Sequence, residues 1–286
     1  MIDEPSSNAL QPIGAHIGLT GSWLIGCVSA NIGDHFPVSA PSLIGQPVTA
    51  LFSATAIHDI RNRMALLQGD GAVEHLFRFP LVDGGKQSDI SIYRDGDGFA
   101  LDLEPSAKHA FGDTAGAVQG MIARLDPDGN VDVLCKQAAH QLRALTGYDQ
   151  VAISFGGGTL AQSMRPGLEM IAADMPLAVK AETMIVDRNF VPVAMLGTDG
   201  AKETTARSVL RAPSQDEIRF LAANNAHAAF ILPLGTESGG AGQIGCYHQA
   251  PRHLGLERRC IAALFAKFVE ARLEIAGLRS ERRAGI

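Results

Sequence analysis

Apolar and polar positions follow two distinct periods over the first third of the chain. Two apolar runs within residues 15–30, interrupted by a Thr-Gly-Ser turn, predict a β-hairpin. Residues 39–48 are interpreted as a loop, and helical spacing of apolar residues predicts a helix over 53–68. Three strands separated by glycine-rich turns are then predicted at 75–81, 88–94 and 98–104. This succession is typical of a small α+β sensor domain.

The second half of the chain shows another mixed pattern. Helices are predicted at about 112–125, 130–146 and 213–226 and from about 254. Strands are predicted at 150–155, 228–235 and 241–248. The glycines at 156–158 are interpreted as a hairpin turn and not a phosphate loop, because no Lys-Ser/Thr pair follows them. We therefore expect an α+β chain of two domains, with a boundary near residues 105–130.

The last helix carries apolar residues alternately three and four positions apart. This spacing is a heptad seam of almost three repeats, and its members are Ile261, Leu264, Phe268, Ala271, Ile275 and Leu278. Two interpretations stay open. The helix either packs on the sheet of its own domain or supplies the contact surface of a dimer.

Composition excludes several classes of function. The net charge of −6 and a pI near 5.8 disfavour nucleic acid as a partner, because phosphate binding needs clustered Lys and Arg. The N-terminus lacks the apolar core of a signal peptide, and no run of about 18 apolar residues predicts a membrane span. The four cysteines are far apart, which indicates reduced thiols and a cytoplasmic location. They are Cys27, Cys135, Cys246 and Cys260.

No motif makes a positive case for an enzyme. Asp216 and Glu217 are adjacent, hence about 100° apart on a helix, which is a poor arrangement for paired acid–base chemistry. The histidines have no third ligand at metal spacing. Arg211 stands just before this helix, where a guanidinium is able to clamp a carboxylate; an ordinary surface ion pair is the alternative.

Several short motifs together resemble the PAS–GAF photosensory core of bacterial phytochromes. They occur in the order and spacing of that family and cover essentially the whole chain apart from the last helical turns. The matching segments are Glu4-Pro5, Leu10-Gln-Pro-Ile-Gly14, Leu101-Asp-Leu-Glu-Pro105, Leu145-Thr-Gly-Tyr-Asp149, Ala172-Ala-Asp-Met-Pro176, Val209-Leu-Arg-Ala-Pro213 and Gly245-Cys-Tyr-His-Gln-Ala-Pro251.

The resemblance implies an organisation and a knot. Residues 1–14 correspond to the N-terminal knot segment, in which the chain around Leu10 threads through a loop of the GAF domain. The remaining boundaries are a PAS domain at 15–105, a linker at 106–128, a GAF domain with a C-terminal dimer helix at 129–280, and a tail at 281–286. A tetrapyrrole pocket in the GAF domain and dimerisation through long helices are also implied.

The resemblance fails where the family attaches its bilin. Bacterial members carry the attachment cysteine three residues before Glu-Pro, and Met1 holds that place here. Plant and cyanobacterial members carry Cys-His after Leu-Arg-Ala-Pro, and here those positions are Asp216 and Glu217. The resemblance therefore implies that no covalent adduct forms at either usual position.

The remaining contacts implied by the resemblance are also altered. Phe220 replaces an aromatic hydroxyl and Tyr247 replaces the first histidine of a pair, whereas Asp174, Arg211 and His248 persist. A second propionate-binding arginine corresponds to Asn189 or, after a one-residue shift, to Arg188. The candidate positions, if bilin binds, are Asp174, Arg211, Ser214, Glu217, Phe220, Tyr247 and His248.

The preferred hypothesis is a dimeric, phytochrome-like sensory or regulatory module with a degenerate pocket. Bilin binding is expected to be lost or weak and noncovalent, because an anionic Glu217 would face the bilin propionates. Such a module relays a conformational change or binds a protein partner. Two alternatives stay open: a working biliverdin photoreceptor, and a GAF domain that senses another small ligand.

Overall fold

The structure is a computed structural model of the chain. It describes residues 8–69, 71–107, 112–126, 130–155, 158–168, 181–198, 205–235 and 241–284. The chain packs as two compact units. The first comprises Met1–Lys108 and Phe190–Gln215, and the second comprises His109–Asn189 and Asp216–Ile286. The predicted PAS and GAF boundaries stay a prediction, since they divide the chain by sequence and not by packing.

The first unit is built on a seven-stranded antiparallel sheet. Its strands are β1 (Ala9–Leu10), β2 (Ala15–Leu19), β3 (Ile25–Ser29), β4 (Val73–Pro80), β5 (Gln87–Asp95), β6 (Gly98–Pro105) and β10 (Val193–Gly197). Numbering follows the whole chain. The order across the sheet is β1-β10-β3-β2-β6-β5-β4. The predicted hairpin and the three-strand meander are therefore confirmed, and two further strands extend the predicted five.

Helices cover one face of this sheet. Helix α2 (Ala54–Met64) begins where the Ser53 side chain accepts a hydrogen bond from the Ala56 N–H, a standard N-terminal cap. Its apolar stripe is buried against the sheet, as the helical spacing predicts. The expectation of a loop over 39–48 is wrong in part, because residues 40–43 form a short helix, α1 (Ala40–Leu43). Pro41 suits its first turn, where no N–H is required.

The N-terminal strand hydrogen-bonds on both sides to the segment Phe190–Gln215. On one side β1 pairs with β10. On the other side the Gln11 N–H donates to the Leu210 carbonyl at 2.7 Å, and the Ala212 N–H donates to the Ala9 carbonyl at 2.8 Å. Leu10 lies between them and is fully buried. These contacts agree with the knot that the resemblance implies around Leu10.

The second unit has a five-stranded antiparallel sheet with helices packed against it. The strands are β7 (Gln150–Phe155), β8 (Gly158–Met164), β9 (Thr183–Ile185), β11 (Ala228–Gly235) and β12 (Ala241–His248), in the order β8-β7-β12-β11-β9. The helices are α3 (Thr114–Ala123), α4 (Val131–Thr146), α5 (Gln215–Ala223) and α6 (Leu256–Ala284). Helix α5 starts at the boundary residue Gln215. Strands β7 and β8 pair with each other up to Phe155 and Gly158. Residues 156 and 157 of the predicted hairpin turn lie outside the described residues.

Glycine ends helix α4 for a geometric reason. Gly147 has a left-handed φ of +65° and its N–H donates to the Arg143 carbonyl, the usual αL termination. A Cβ at this position would also clash with the guanidinium of Arg252. Arg252 donates two hydrogen bonds to the Thr146 carbonyl, at 2.8 and 3.2 Å. The chain therefore leaves α4 through a turn that only glycine fills without strain.

Helix α6 presents two different faces. Ile261 and Phe265 are fully buried on the face that packs into the second unit. Leu264 and Ile275, by contrast, are 55% and 45% exposed. Ile261 therefore does not belong to the exposed face, and the predicted heptad seam loses its first member. The side chain of Leu278 lies outside the described residues. No helix in the described ranges is long and apolar enough to cross a membrane.

Candidate functional site

The two adjacent acids of α5 have opposite environments. Asp216 is exposed and pairs with Arg219 one turn later. Glu217 is buried, with 2% of its surface exposed. The difference follows from the 100° step between consecutive helical residues. Only Glu217 is therefore in a position to influence the interior of the second unit.

Tyr247 fills space on the face of the sheet that carries α5. It is fully buried on β12, and its ring lies 6.0 Å from the ring of Phe220, centroid to centroid. Its phenol lies over Gly245, where a Cβ would clash with it. The two aromatic side chains pack in an apolar cluster, here called the aromatic cluster: Ile185, Phe220, Leu221, Ala226, Ala229, Ile231 and Tyr247. The candidate positions Phe220 and Tyr247 thus contact each other.

Arg188 stabilises the C-terminal end of α5. Its guanidinium donates to the carbonyls of Leu221 at 3.1 Å and Ala226 at 2.7 Å. A cation beside the last carbonyls of a helix interacts favourably with the helix dipole. The alternative second propionate arginine is therefore engaged by the protein backbone.

Arg211 and Ser214 belong to the first unit by packing. The Arg211 guanidinium donates to the Ala212 carbonyl at 3.3 Å, and its own carbonyl accepts from the Gln11 amide at 3.0 Å. Ser214 is exposed. Asp174 lies outside the described residues. The structure therefore brings together only some of the predicted positions within one unit.

His248 lies beside a carboxylate that sequence reasoning did not select. Its Nδ1 is 2.7 Å from Oδ2 of Asp149, at an angle outside hydrogen-bond geometry. Asp149 is buried and also pairs with Arg165 at 3.2 Å. Burial lowers the pKa of His248; Asp149 opposes this effect, and Arg252 and Arg165 reinforce it. His248 is therefore neutral at neutral pH despite its close carboxylate.

The signal for Asp149 was present in the sequence. It ends the Leu145–Asp149 motif, yet a single acid after a strand-like boundary does not reveal its partners. Arg165 and Arg252 reach the same cluster from distant positions in the chain. Only the pairing of β7 with β8 and β12 makes them neighbours.

All four cysteines are described and stand as thiols. Cys27, Cys135 and Cys246 are buried, and Cys260 is half-buried. Burial raises the pKa of Cys135 to about 11 and that of Cys246 to about 12. Such thiols are poor nucleophiles, because the thiolate is the reactive form. Among the described residues, no group of three or more His, Cys, Asp or Glu side chains is arranged to hold a metal ion.

A second His–Asp pair, missed in the sequence, lies inside the first unit. His16 on β2 faces Asp102 on β6, with Nδ1 2.7 Å from Oδ1. Complete burial lowers the pKa of His16, but the hydrogen bond to Asp102 and an interaction with Cys27 more than offset it, so the pKa rises to about 9. The Ser208 hydroxyl donates to the other Asp102 oxygen at 2.8 Å. His16 is therefore an imidazolium at neutral pH.

Comparison with known proteins identifies the fold. Residues 5–106 match the family model described as PAS fold. Phytochrome 1 of Selaginella martensii is 28% identical over 271 residues, covering 79% of this chain and 23% of that protein. Phytochrome B of Sorghum bicolor is 27% identical over 205 residues, covering 56% of this chain and 17% of that protein.

Solved structures extend the similarity to both units. The chromophore-binding domain of Stigmatella aurantiaca phytochrome P1 has a TM-score of 0.79 at 20% identity, covering 94% of this chain and 96% of that one. The chromophore-binding domain of an unusual bacteriophytochrome from R. palustris has a TM-score of 0.77 at 20% identity, covering 97% and 99%. The chain therefore has the PAS–GAF fold of phytochrome chromophore-binding domains, and its sequence is similar to that of plant phytochromes. It spans about a fifth of the length of its plant relatives.

Proposed function

We propose that this phytochrome-like chain is a dimeric sensory module whose bilin pocket is degenerate. The observation that carries the proposal is the position of Tyr247. It is fully buried in the aromatic cluster, with its phenol over Gly245 and its ring against Phe220. A planar tetrapyrrole on this face of the sheet would have to displace both rings. This packing of the described residues supports a pocket that is closed to the bilin.

Charge adds to the steric argument. Glu217 precedes Phe220 by three residues on α5, so both side chains lie on the same face of the helix. Two like charges about 4 Å apart repel by about 4 kcal/mol at an effective dielectric constant near 20. An ionised Glu217 beside a bilin propionate would therefore weaken binding by several orders of magnitude.

The thiols support a noncovalent state for any bilin that does bind. The raised pKa values of Cys135 and Cys246 leave almost no thiolate at neutral pH. Cys246 also lies directly beside Tyr247 in β12, and its burial limits access. We expect no thioether adduct on zinc-stained denaturing gels after incubation with biliverdin.

The absorption spectrum with biliverdin tests the proposal. The wild-type protein is expected to leave the spectrum of free biliverdin unchanged. Tyr247→Ala combined with Glu217→Gln is expected to gain binding, because the change removes both the ring and the charge. Tyr148→Ala combined with Asp216→Asn is the matched control, since Tyr148 is equally buried in the same unit and Asp216 is exposed.

Two outcomes would contradict this account. A red-shifted, photoconvertible band in the wild-type protein would establish the alternative function, a working biliverdin photoreceptor. Absence of binding in the folded double variant would mean that Tyr247 and Glu217 are not what closes the pocket. Circular dichroism must accompany each spectrum, because truncating a buried tyrosine costs about 3–5 kcal/mol, as for other large side chains.

The exposed face of α6 supports dimerisation. Leu264, Ala271 and Ile275 are exposed and Phe268 is half-buried, at the spacing of a coiled-coil seam. Light scattering is expected to give twice the chain mass of 30.2 kDa. Leu264→Glu with Ile275→Glu is expected to give a monomer, whereas Val133→Glu, at an exposed apolar position on α4, should leave the dimer intact. A wild-type monomer would reject this part of the proposal.

A further inference from the structure

The first unit contains a cavity that shares no residue with the candidate bilin positions. Its volume is about 720 Å³, within the range of roughly 300–1,000 Å³ typical of small-molecule sites. Its walls come from the chain after β1, the 3-10 helix Ala30–Asp34 with the residues that follow it, the β4–β5 connection and the end of β6. Apolar side chains dominate one part of the wall, among them Ile13, Phe36 and Leu81.

Two cations line this cavity without a carboxylate partner. Arg78 and Lys86 form no ion pair with any carboxylate of the described residues. The Arg78 guanidinium donates one hydrogen bond, to the Ala107 carbonyl at 3.1 Å. Asp34 is the one carboxylate among the lining residues, and it is exposed. Burial lowers the pKa of the neighbouring His35; Asp34 raises it and Lys86 lowers it. Arg78 and Lys86 are therefore the two cations of the lining, beside the exposed Asp34 and the buried carboxylate of Asp89 behind the wall.

The backbone at Arg78 is held in a strained conformation. Its φ is +50°, at the irregularity between Leu76 and Phe79 in β4. A left-handed conformation is unfavourable for an L-residue, because its Cβ approaches the following carbonyl oxygen. The buried Asp89 carboxylate fixes it, accepting from the Arg78 N–H at 2.9 Å and from the Ser106 hydroxyl at 2.7 Å. Residues held in this way cluster at ligand sites, and here the strain directs an arginine toward the cavity.

A buried acceptor in the cavity wall receives no hydrogen bond from any residue that the structure describes. The Asn31 amide nitrogen donates to the Gly14 carbonyl at 2.8 Å, which fixes the orientation of the amide. Its Oδ1 is buried and makes no hydrogen bond within the described part of the chain. A buried acceptor without a hydrogen bond is unfavourable, because it has lost its hydration and gained nothing in return. The atom is closed to solvent in this arrangement, so a bound molecule reaches it only when the amide moves; a hydroxyl or amine would then satisfy it.

We propose that this cavity binds an amphipathic organic acid that carries a hydrogen-bond donor on its apolar body. The carboxylate would lie between Arg78 and Lys86, the apolar body against Phe36 and Leu81, and the donor at Asn31 Oδ1. An inorganic phosphate would leave the apolar wall and the Asn31 acceptor unused. The proposal does not depend on the proposed state of the bilin pocket, because the two sets of residues do not overlap.

Isothermal titration calorimetry on the full chain tests the site with defined probes. We expect 10-hydroxydecanoate to bind more tightly than decanoate. The methyl ester of 10-hydroxydecanoate should bind about tenfold more weakly than the free acid, a loss of about 1.4 kcal/mol in binding free energy. Lys86→Gln and Arg78→Gln should each weaken the acid about tenfold, as expected for a lost charge-assisted hydrogen bond. Asn31→Leu should remove the preference for the hydroxylated acid. Arg63→Gln is the matched control, since Arg63 is exposed in the same unit outside the cavity.

Three results would overturn the proposal. The first is equal affinity for the acid and its ester, because the cations would then play no part. The second is unchanged affinity in Lys86→Gln, an exposed position whose substitution leaves the fold intact. The third is that no acid gives a binding heat at about 1 mM. Any binding would then have a Kd above about 1 mM, which corresponds to a binding free energy weaker than about −4 kcal/mol. If inorganic phosphate binds and the organic acids do not, the cavity takes a simple inorganic anion and the proposal of an organic acid is wrong.

Discussion

The two units each contain a histidine and an aspartate at the same distance, and the two pairs have opposite protonation. Nδ1 of His16 and Nδ1 of His248 each lie 2.7 Å from a carboxylate oxygen. The pKa of His16 rises to about 9, whereas that of His248 is lowered. The carboxylate partners, Asp102 and Asp149, are both buried. Distance within the pair therefore does not determine the charge of the histidine.

The surroundings of each pair explain the difference. Against the lowering effect of burial, the pKa of His16 is raised by its hydrogen bond to Asp102 and by an interaction with Cys27. The other donors to Asp102 are neutral, the hydroxyls of Ser208 and Tyr93. Asp149 is shared with the cation Arg165, and Arg252 lies close to His248. Neighbouring cations disfavour a second positive charge. Each variant below either breaks one pair or removes one of these neighbours.

Asp102→Asn is expected to have the largest effect. The change leaves a buried imidazolium without its counter-ion, and breaking a buried pair in this way costs about 3–5 kcal/mol. Urea denaturation at pH 7 measures the loss. Asp89→Asn is the matched control, because Asp89 is also buried in the first unit but has no histidine partner. If both variants lose the same free energy of unfolding, the effect comes from removing a buried carboxylate and not from the pairing of Asp102 with His16.

The pH dependence of stability should follow His16. Because its pKa is raised in the folded state, its contribution is complete below pH 6.5, the unfolded value, and is lost as the pH rises toward and through about 9. A difference of two to three pKa units corresponds to roughly 3 kcal/mol. Denaturation midpoints between pH 6 and 10 measure it. His16→Gln should flatten the profile; a wild-type profile that is already flat would contradict an imidazolium at His16.

His248 should change the stability on the acid side and in the opposite direction. A lowered folded pKa means that the unfolded chain binds the proton first, so stability is lost as the pH falls below 6.5. Arg165→Gln is expected to raise the pKa of His248 and to change stability by about 1 kcal/mol or less, because Arg165 is exposed. Titration of the imidazole by NMR measures the shift. Arg219→Gln is the control. An unchanged pKa of His248 in Arg165→Gln would show that Arg165 does not lower it.

Elements with strong local patterns could be predicted from the sequence. The stripe of α2 and the turns between β4, β5 and β6 depend on neighbouring residues only. Strands β1, β9 and β10 have two, three and five residues and gave no local signal. They exist because another part of the chain supplies their hydrogen-bond partners, as β3 does for β10.

Some features of the candidate site could likewise be predicted from the sequence, and others depend on the tertiary structure. That Asp216 and Glu217 point to different sides of α5 follows from helix geometry alone. That Tyr247 packs on Phe220 requires the register of β12 against β11 and the placement of α5. The seam of α6 was predicted from spacing, but which of its members face the interior depends on the rest of the second unit, which buries Ile261.

The sequence by itself determined the order of the main helices and strands and the resemblance to phytochromes, because each is a property of residue type and spacing. Tertiary structure alone decided which histidine is charged and which side chains pack against Tyr247. Those properties depend on side chains that are remote in sequence: Asp102 lies 86 residues from His16 and Ser208 lies 106 residues from Asp102. Only folding places their charges and volumes against one another.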